Sequence, residues 1–354
     1  MRINAFPILV ACLALLLPCA AHASFLAAGL DFSSGKGVVV VEQGDGTYAA
    51  LDLPAVKGKW YLTGAASQGR GGTTLLYGAN KSDGTGLLLS LDGGIVRQQS
   101  LPQAGTSWVI AGGRYLNKDL AILVGYDRAA GKPVALSNRS GSWTTESLPR
   151  LAGRVELLDI AGTPDKAYAV GVNRSTNKGV VLTYTNGAWT ELDMTTQFEE
   201  SFRLEAAYRA GKDSVAFVGS IGQVEKGLII RVGPADTDIA RDALPEVSHS
   251  WTLYDVWFSA DGETGIAVGT DLSNRRGLIL EYADGQWQQA AVSGEVQNSE
   301  ILFVAAGPGG RAVAVGQDQA GRSGLLLVKS GGAWKRVQLP NVSFNWLLTG
   351  CVNR

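Results

Sequence analysis

The chain has 354 residues, with 31 lysines and arginines against 32 aspartates and glutamates and a net charge of −1 at pH 7. This balance argues against nucleic-acid binding, which requires a strongly basic chain or patch. With only two histidines and three cysteines, the chain is not expected to assemble a transition-metal site.

The first 23 residues have the pattern of a cleaved signal peptide. Arg2 precedes an apolar run at residues 6–20, and residues 21–23 (AHA) form a small-x-small cleavage site. The apolar run is shorter than the roughly 20 residues that a helix needs to cross a bilayer, so no membrane span is predicted. We therefore expect an exported protein, periplasmic or secreted, in which residues 24–354 form one domain.

A sevenfold repeat fills the rest of the chain. In six of the seven copies a glycine is followed eight residues later by a second glycine and then by an aliphatic triplet, such as residues 87–89 (LLL), and in the third copy Pro133 replaces the second glycine. The first glycines lie 46–50 residues apart, at Gly29, Gly78, Gly125, Gly171, Gly219, Gly269 and Gly316. The second positions are Gly37, Gly86, Pro133, Gly179, Gly227, Gly277 and Gly324. This period indicates a propeller or solenoid, and the triplets between turn residues indicate strands rather than helices.

One copy shows how the strands are arranged. We predict strands a to d at residues 254–259, 265–269, 278–282 and 287–292, and four strands per repeat are typical of a propeller blade. Asp284-Gly285 between strands c and d predicts a tight type I′ hairpin, as do residues 45–46, 186–187 and 331–332. A large aromatic residue opens strand d and is expected to pack between blades: Tyr48, Trp143, Trp189, Trp287 and Trp334.

The two ends of the chain predict a closed ring. Residues 25–53 provide strands b, c and d but no strand a, whereas residues 341–354 provide a lone strand a that resembles residues 60–64. We therefore expect the C-terminal strand to complete the N-terminal blade, which would remove the exposed edges of an open array. The predicted fold is an all-β, seven-bladed propeller with four antiparallel strands per blade.

These motifs resemble those of a known group of propellers. AVG at residues 267–269, the second glycine with its aliphatic triplet, and DGQW at residues 284–287 are similar to motifs of the seven-bladed WD40/YVTN and BNR-like superfamily. The resemblance implies the fold alone, because the superfamily includes enzymes, lectins and scaffolds. The Asp-box spacing of sialidases is not matched, so no catalytic residue is carried over.

One rim of the ring is the predicted partner-binding surface. It would combine basic residues that precede the second glycine position with tryptophans of strand a: Lys36, Lys132, Lys178, Lys226, Arg276, Trp60, Trp108, Trp251 and Trp346. This surface would suit an anionic glycan or an acidic protein. The alternatives are local ion pairs, such as Asp31 with Lys36 or Asp271 with Arg276, and strand packing by the indoles.

Catalytic and cofactor motifs are not found. His249 is the single histidine of the mature chain, and Cys351, the single cysteine, is expected on an innermost strand as a buried space-filler. No cofactor, metal or catalytic residue is predicted. The expected function is a monomeric, non-catalytic binding or assembly scaffold for a protein or glycan. A lectin with one sugar site per blade is the first alternative. A hydrolase or lyase is the second, and it would need carboxylates with basic or tyrosine partners over the channel.

Overall fold

The computed structural model describes residues 24–139, 141–194, 197–292 and 296–354. The predicted signal peptide, residues 1–23, lies outside them. The described residues form seven four-stranded antiparallel sheets, and the sole helical element among them is a 3₁₀ turn at Pro308–Gly310. The fold is thus the predicted all-β, seven-bladed propeller, and we number its blades 1 to 7 from the N-terminus.

Each blade contributes strands a to d, from the axis outward. Strand a of blades 1 to 7 is Trp346–Asn353, Trp60–Ser67, Trp108–Tyr115, Val155–Gly162, Phe202–Arg209, Trp251–Phe258 and Ser299–Ala306. Strand b is Phe25–Asp31, Thr74–Asn80, Leu120–Asp127, Lys166–Asn173, Val215–Ile221, Gly265–Asp271 and Ala312–Asp318. Strand c is Lys36–Glu42, Thr85–Asp92, Lys132–Arg139, Lys178–Thr185, Lys226–Val232, Arg276–Ala283 and Ser323–Ser330. Strand d is Tyr48–Ala50, Ile95–Gln98, Ser142–Thr145, Ala188–Leu192, Ile239–Arg241, Gln286–Gln289 and Ala333–Arg336.

The ring closes as the sequence predicted. Strand a of blade 1 comes from the C-terminus and pairs antiparallel with strand b, with Trp346 opposite Asp31 and Asn353 opposite Phe25. The innermost and the second strand of one blade therefore come from opposite ends of the chain. No other blade in the described structure is assembled from both ends of the chain. Separation of strands a and b of blade 1 would therefore open the ring.

The first glycine of the repeat is required by a β-bulge in strand a. In every blade strand a carries one extra residue opposite strand b, for example Thr63 in blade 2 between the pairs Leu62–Gly78 and Gly64–Tyr77. The bulge pushes a strand a carbonyl towards the glycine, so that a Cβ at Gly78 would lie 2.0 Å from the Tyr61 oxygen. Any larger residue would have to displace backbone.

The second glycine of the repeat makes room for the next blade. A Cβ at Gly86 would lie 2.3 Å from the Trp108 ring, and Gly37, Gly227 and Gly324 meet Trp60, Trp251 and Trp346 in the same way. In each case the indole belongs to strand a of the following blade. The aliphatic triplets are buried on both faces, as in residues 87–89. The core therefore consists of seven inter-blade layers.

The outer aromatic residues also join blades, as predicted. Trp189, Trp287 and Trp334 are buried, and each indole nitrogen donates to a carboxylate of the preceding blade. The c–d hairpins at residues 186–187, 284–285 and 331–332 have positive φ at both residues. At residues 45–46 only Gly46 does, so that hairpin is not the predicted type I′ turn. Strand d at residues 286–289 is also shorter than predicted.

Candidate functional site

The propeller has two faces, which we define by their loops. The b–c face carries the loops between strands b and c, such as residues 272–275, and the linkers from strand d to the next strand a. The a–b face carries the loops between strands a and b, such as residues 259–264, and the c–d hairpins. The predicted cationic rim belongs to the b–c face.

Three of the five predicted rim cations are engaged within the protein. The Lys178 ammonium donates to the carbonyls of residues 198–200 at 2.7–3.1 Å. Lys226 pairs with Glu246, and the Arg276 guanidinium lies 3.0 Å from Asp271. The ion pair between Asp271 and Arg276 was one of the two expected from the sequence, and it is confirmed. These cations act mainly to fix linkers and loops.

The other two rim cations are free of such contacts. Lys36 and Lys132 are exposed, and neither ammonium has a hydrogen bond or ion pair with another residue that the structure describes. The expected pair of Lys36 with Asp31 does not form, since the Asp31 carboxylate accepts from the Ser33 amide and the Ser343 hydroxyl. Two separated lysines do not make a continuous cationic ring.

The four predicted aromatic anchors lie inside the molecule. Trp60, Trp108, Trp251 and Trp346 are each 2 % exposed and cover the second glycine of the preceding blade. Their position is the packing alternative considered from the sequence, because each indole fills the space that the glycine leaves. A partner could not touch these rings without separating two blades.

The axial channel is lined by strand a, and the bulge controls which side chains face it. The residue after the bulge is Asp159 in blade 4 and Asp255 in blade 6. Asp159 accepts the Ala207 amide of blade 5 at 3.1 Å, and Asp255 accepts the Val304 amide of blade 7 at 2.9 Å. Both carboxylates thus connect neighbouring blades at the axis.

Burial strongly perturbs these two acids. Burial, together with the nearby charge of Asp159, raises the pKa of Asp255 to about 7. The pKa of Asp159 is also raised by burial, although the Arg114 guanidinium opposes the rise. Asp255 therefore changes its charge near neutral pH, at the centre of the ring.

A cleft of about 800 Å³ opens where the channel meets the a–b face. Its central wall is made by Arg114, Tyr208 and Trp257, which are half-buried and occupy the same position in strand a of blades 3, 5 and 6. The other four copies have a small residue there: Ala66, Ala161, Ala305 and Val352. Because large side chains lie on one side of the axis and small ones on the other, the cleft is asymmetric.

The cleft wall is held together by ring contacts. The Arg114 guanidinium lies 4.9 Å from the centre of the Tyr208 ring, and the rings of Tyr208 and Trp257 are 6.4 Å apart. Burial raises the pKa of Tyr208, so its hydroxyl is neutral. Burial opposes the charge of Arg114, but Asp159, Tyr208, Tyr77 and Asp255 together outweigh it, so the pKa of Arg114 is raised. A permanent cation thus stands among aromatic rings.

This cleft was not predicted from the sequence. Arg114, Tyr208 and Trp257 were not among the predicted partner-binding residues. The available signal was the comparison of the seven copies at this strand a position, where three large residues replace small ones. That comparison predicts a site at the channel only when the bulge is known, because the extra residue changes which side chains face the channel.

The opposite mouth of the channel, on the b–c face, holds a charged cluster. Glu205 and Tyr254 are the bulge residues of blades 5 and 6, and burial raises the pKa of both. The nearby guanidiniums of Arg174 and Arg203 pair with Glu156 and Glu225. These groups match the types required for the hydrolase or lyase alternative. However, both arginines are committed to ion pairs, and the 800 Å³ cleft is at the other mouth.

Two further observations concern other classes of site. Within residues 24–139, 141–194, 197–292 and 296–354, no group of three or more His, Cys, Asp or Glu side chains is arranged to hold a metal ion. The same residues contain no helix of sufficient length and apolarity to span a membrane. His249 is exposed on a linker, and Cys351 is buried on strand a as expected.

Solved structures with the same fold provide the comparison with known proteins. No family model matches the chain, and no curated protein matches it in sequence. YCF48 bound to D1 peptide is similar in structure, with a TM-score of 0.53, 16% identity, and coverage of 84% of this chain and 95% of that one. The selenomethionine-substituted virginiamycin B lyase from Staphylococcus aureus has a TM-score of 0.55 and 12% identity, and the match covers 78% of this chain and 84% of that one. At these identities the likeness shows the fold alone.

Proposed function

We propose that this protein is an exported, non-catalytic propeller that binds a partner polypeptide in the a–b cleft. The N-terminal signal pattern supports export to the periplasm or the medium. The near-zero net charge supports a partner other than nucleic acid. The proposal places recognition on the face opposite the predicted cationic rim, because three of the rim cations and all four rim tryptophans are already engaged.

The observation that carries the proposal is the group of half-buried aromatic rings around the axial mouth. Tyr115, Tyr208 and Trp257 line the cleft together with Arg114, and all four are partly accessible to solvent. Partly exposed aromatic and arginine side chains in a concave site are the usual anchors for a bound protein segment. They sit on strands of a closed ring, so the site is formed before the partner arrives and little ordering cost is expected.

The fold comparison is consistent with a peptide partner. YCF48, a propeller of similar structure, was solved with a D1 peptide bound. That observation belongs to YCF48, and it supports the present proposal only by showing that a propeller of this shape can present a peptide-binding surface. The lyase with the same fold demonstrates that the architecture also accommodates enzymes.

The proposal is tested by selecting ligands from a random peptide library displayed on phage, with the mature protein immobilised. Peptides recovered on the wild type are resynthesised and titrated against Trp257→Ala, which removes the central ring of the cleft. We expect affinity to fall by roughly tenfold or more, the usual cost of truncating a central aromatic anchor. Trp257→Phe should retain part of the affinity.

Phe344→Ala is the matched control, because Phe344 is 77 % exposed in a linker of the b–c face. It should leave peptide affinity unchanged. Recovery of no peptide, or loss of binding in Phe344→Ala with retention in Trp257→Ala, would overturn the proposal. Circular dichroism and thermal unfolding of each variant confirm that the ring is intact.

A further inference from the structure

Building on the proposed function, we infer that the polypeptide bound in the a–b cleft carries an acidic side chain that pairs with the Arg114 guanidinium at the axis. The aromatic rings alone do not define the chemistry of the partner. The contacts of Arg114, the charges of the cleft and the path of a bound segment together favour an acidic side chain.

Arg114 is positioned but not neutralised by direct contact. Its Nε lies 3.5 Å from the Ile160 carbonyl of the next blade, and the guanidinium packs on the Tyr208 ring. Among the residues that the structure describes, no carboxylate oxygen lies within 4.0 Å of an Arg114 nitrogen. An arginine has five N–H donors in a fixed fork that matches a carboxylate. Arg114 lines the cleft, and its recorded hydrogen bond is made by Nε, so its terminal nitrogens are without a hydrogen bond to the residues that the structure describes.

The two acids nearby, the buried Asp255 and the half-buried Asp159, do not occupy that position. Asp255 accepts the amides of Val256 and Val304, and Asp159 accepts the amide of Ala207. Both oxygens of Asp255 and the Oδ2 atom of Asp159 are therefore directed at backbone donors within the ring. Because Asp255 has a pKa of about 7, one of the two negative charges is partly removed at neutral pH. The electrostatic opposition to an incoming carboxylate is correspondingly reduced.

The remaining charged residues of the cleft wall favour an anion. Arg114, Arg209 and Lys329 line the cleft, and Glu281 is the single carboxylate among its lining residues. Lys329 and Glu281 form an ion pair with an N–O distance of 2.8 Å. Two arginines thus remain after that pair is discounted. The side chains that line the cleft thus carry a net positive charge, although the chain as a whole carries a net charge of −1.

The shape of the cleft favours an internal acidic residue over a chain end. The lining comes from strands and loops of blades 1 and 3 to 7, so the cleft extends across the axial mouth. A segment crossing it would continue on both sides and place a side chain over the axis, where Arg114 lies. Aromatic or aliphatic neighbours of that acidic residue would contact Tyr208 and Trp257.

The test uses the same random peptide library and compares selections on the wild type and on Arg114→Gln. Peptides from the wild type should be enriched in Asp and Glu, and peptides from Arg114→Gln should lose that enrichment. A resynthesised, C-terminally amidated peptide should bind the wild type roughly tenfold to a hundredfold more weakly when its acidic residue is changed to the amide. In Arg114→Gln the two peptides should bind alike.

Two further variants guard against loss of folding. Arg114→Lys keeps the charge next to Asp159 and should retain a reduced preference for the acidic peptide, since an ammonium lacks the fork. Arg97→Gln removes an exposed arginine of strand d in blade 2, far from the cleft, and should change nothing. Thermal unfolding shows whether each variant is folded.

Distinct outcomes would refute the two proposals. Binding that depends on Trp257 but shows no acidic preference would overturn the inference and leave the proposed function standing. A free C-terminal carboxylate that outperforms the acidic side chain would overturn the choice of an internal residue. Stronger, Arg114-dependent binding of polygalacturonate would replace the polypeptide by an acidic glycan. Absence of any selected peptide would refute both proposals.

Discussion

Replacing Asp255 by Asn should change the stability of the ring in a strongly pH-dependent way. Asp255 is 8 % exposed, and burial together with the Asp159 charge raises its pKa from 3.8 to about 7. The folded state therefore holds this proton more tightly than the unfolded state does. The resulting stabilisation is fully present below pH 3.8 and is lost as the pH rises through 7. The loss corresponds to roughly 4 kcal/mol, at 1.36 kcal/mol for each pH unit.

Asp255→Asn removes this dependence because the amide does not ionise. The carboxylate accepts the Val256 amide with one oxygen and the Val304 amide with the other, whereas Asn has a single side-chain oxygen. The loss of one of these hydrogen bonds should lower the free energy of unfolding by about 1–3 kcal/mol at every pH. The variant should therefore be less stable than the wild type near pH 4.5. As the pH rises, the stability of the variant should increase relative to that of the wild type. The difference in free energy of unfolding between the two proteins should become constant above pH 8.

Urea unfolding followed by tryptophan fluorescence at pH 4.5, 6, 7 and 8 measures the difference in free energy of unfolding. Equal m-values for the two proteins would show that both unfold from the same compact state. As an independent readout, the infrared absorption of protonated carboxylic acids at pH 6 should be weaker in the variant than in the wild type by the contribution of one group. A stability difference that stays constant from pH 4.5 to 8 would refute the reasoning.

Three further changes test the ring itself. Gly125→Ala would bring a Cβ to 1.9 Å from the Val109 oxygen and should cost more than about 3 kcal/mol in urea unfolding, whereas Gly44→Ala, with no atom within 4 Å, should cost less than about 0.5 kcal/mol. Equal effects would contradict the bulge explanation. Deleting residues 341–354 removes strand a of blade 1, so we expect insoluble or protease-labile protein; soluble material that unfolds cooperatively would argue against closure by this strand. Burial raises the pKa of Asp271, but its hydrogen bonds outweigh burial and lower the pKa below 3.8. Asp271→Asn should therefore be most destabilising at pH 7 and less so as the pH falls towards 3, opposite in sign to Asp255→Asn.

The sequence was least informative about the surface. Basic residues before the second glycine and tryptophans at the start of strand a share a regular spacing, which suggested a common partner-binding rim. The structure assigns other contacts to most of them: Lys178 holds a linker, Arg276 holds Asp271, and Trp108 fills the space above Gly86. The regular spacing correctly predicted that these residues occupy equivalent positions in the blades. It did not predict their role, because most of them pack between blades or hold loops and linkers.

By itself, the sequence determined the number of blades, the four strands of each and the closure of the ring. These features depend on turn residues, aliphatic triplets and glycines within a continuous stretch of fewer than about 50 residues, and on the match between the two ends. Only the tertiary structure decided which side chains reach the axis and which are covered by the next blade. The bulge in strand a interrupts the alternation of inward and outward side chains, and the covering residues come from a neighbouring blade. For this reason the sequence did not predict that Arg114, Tyr208 and Trp257 line one cleft, and the tertiary structure was needed to show it.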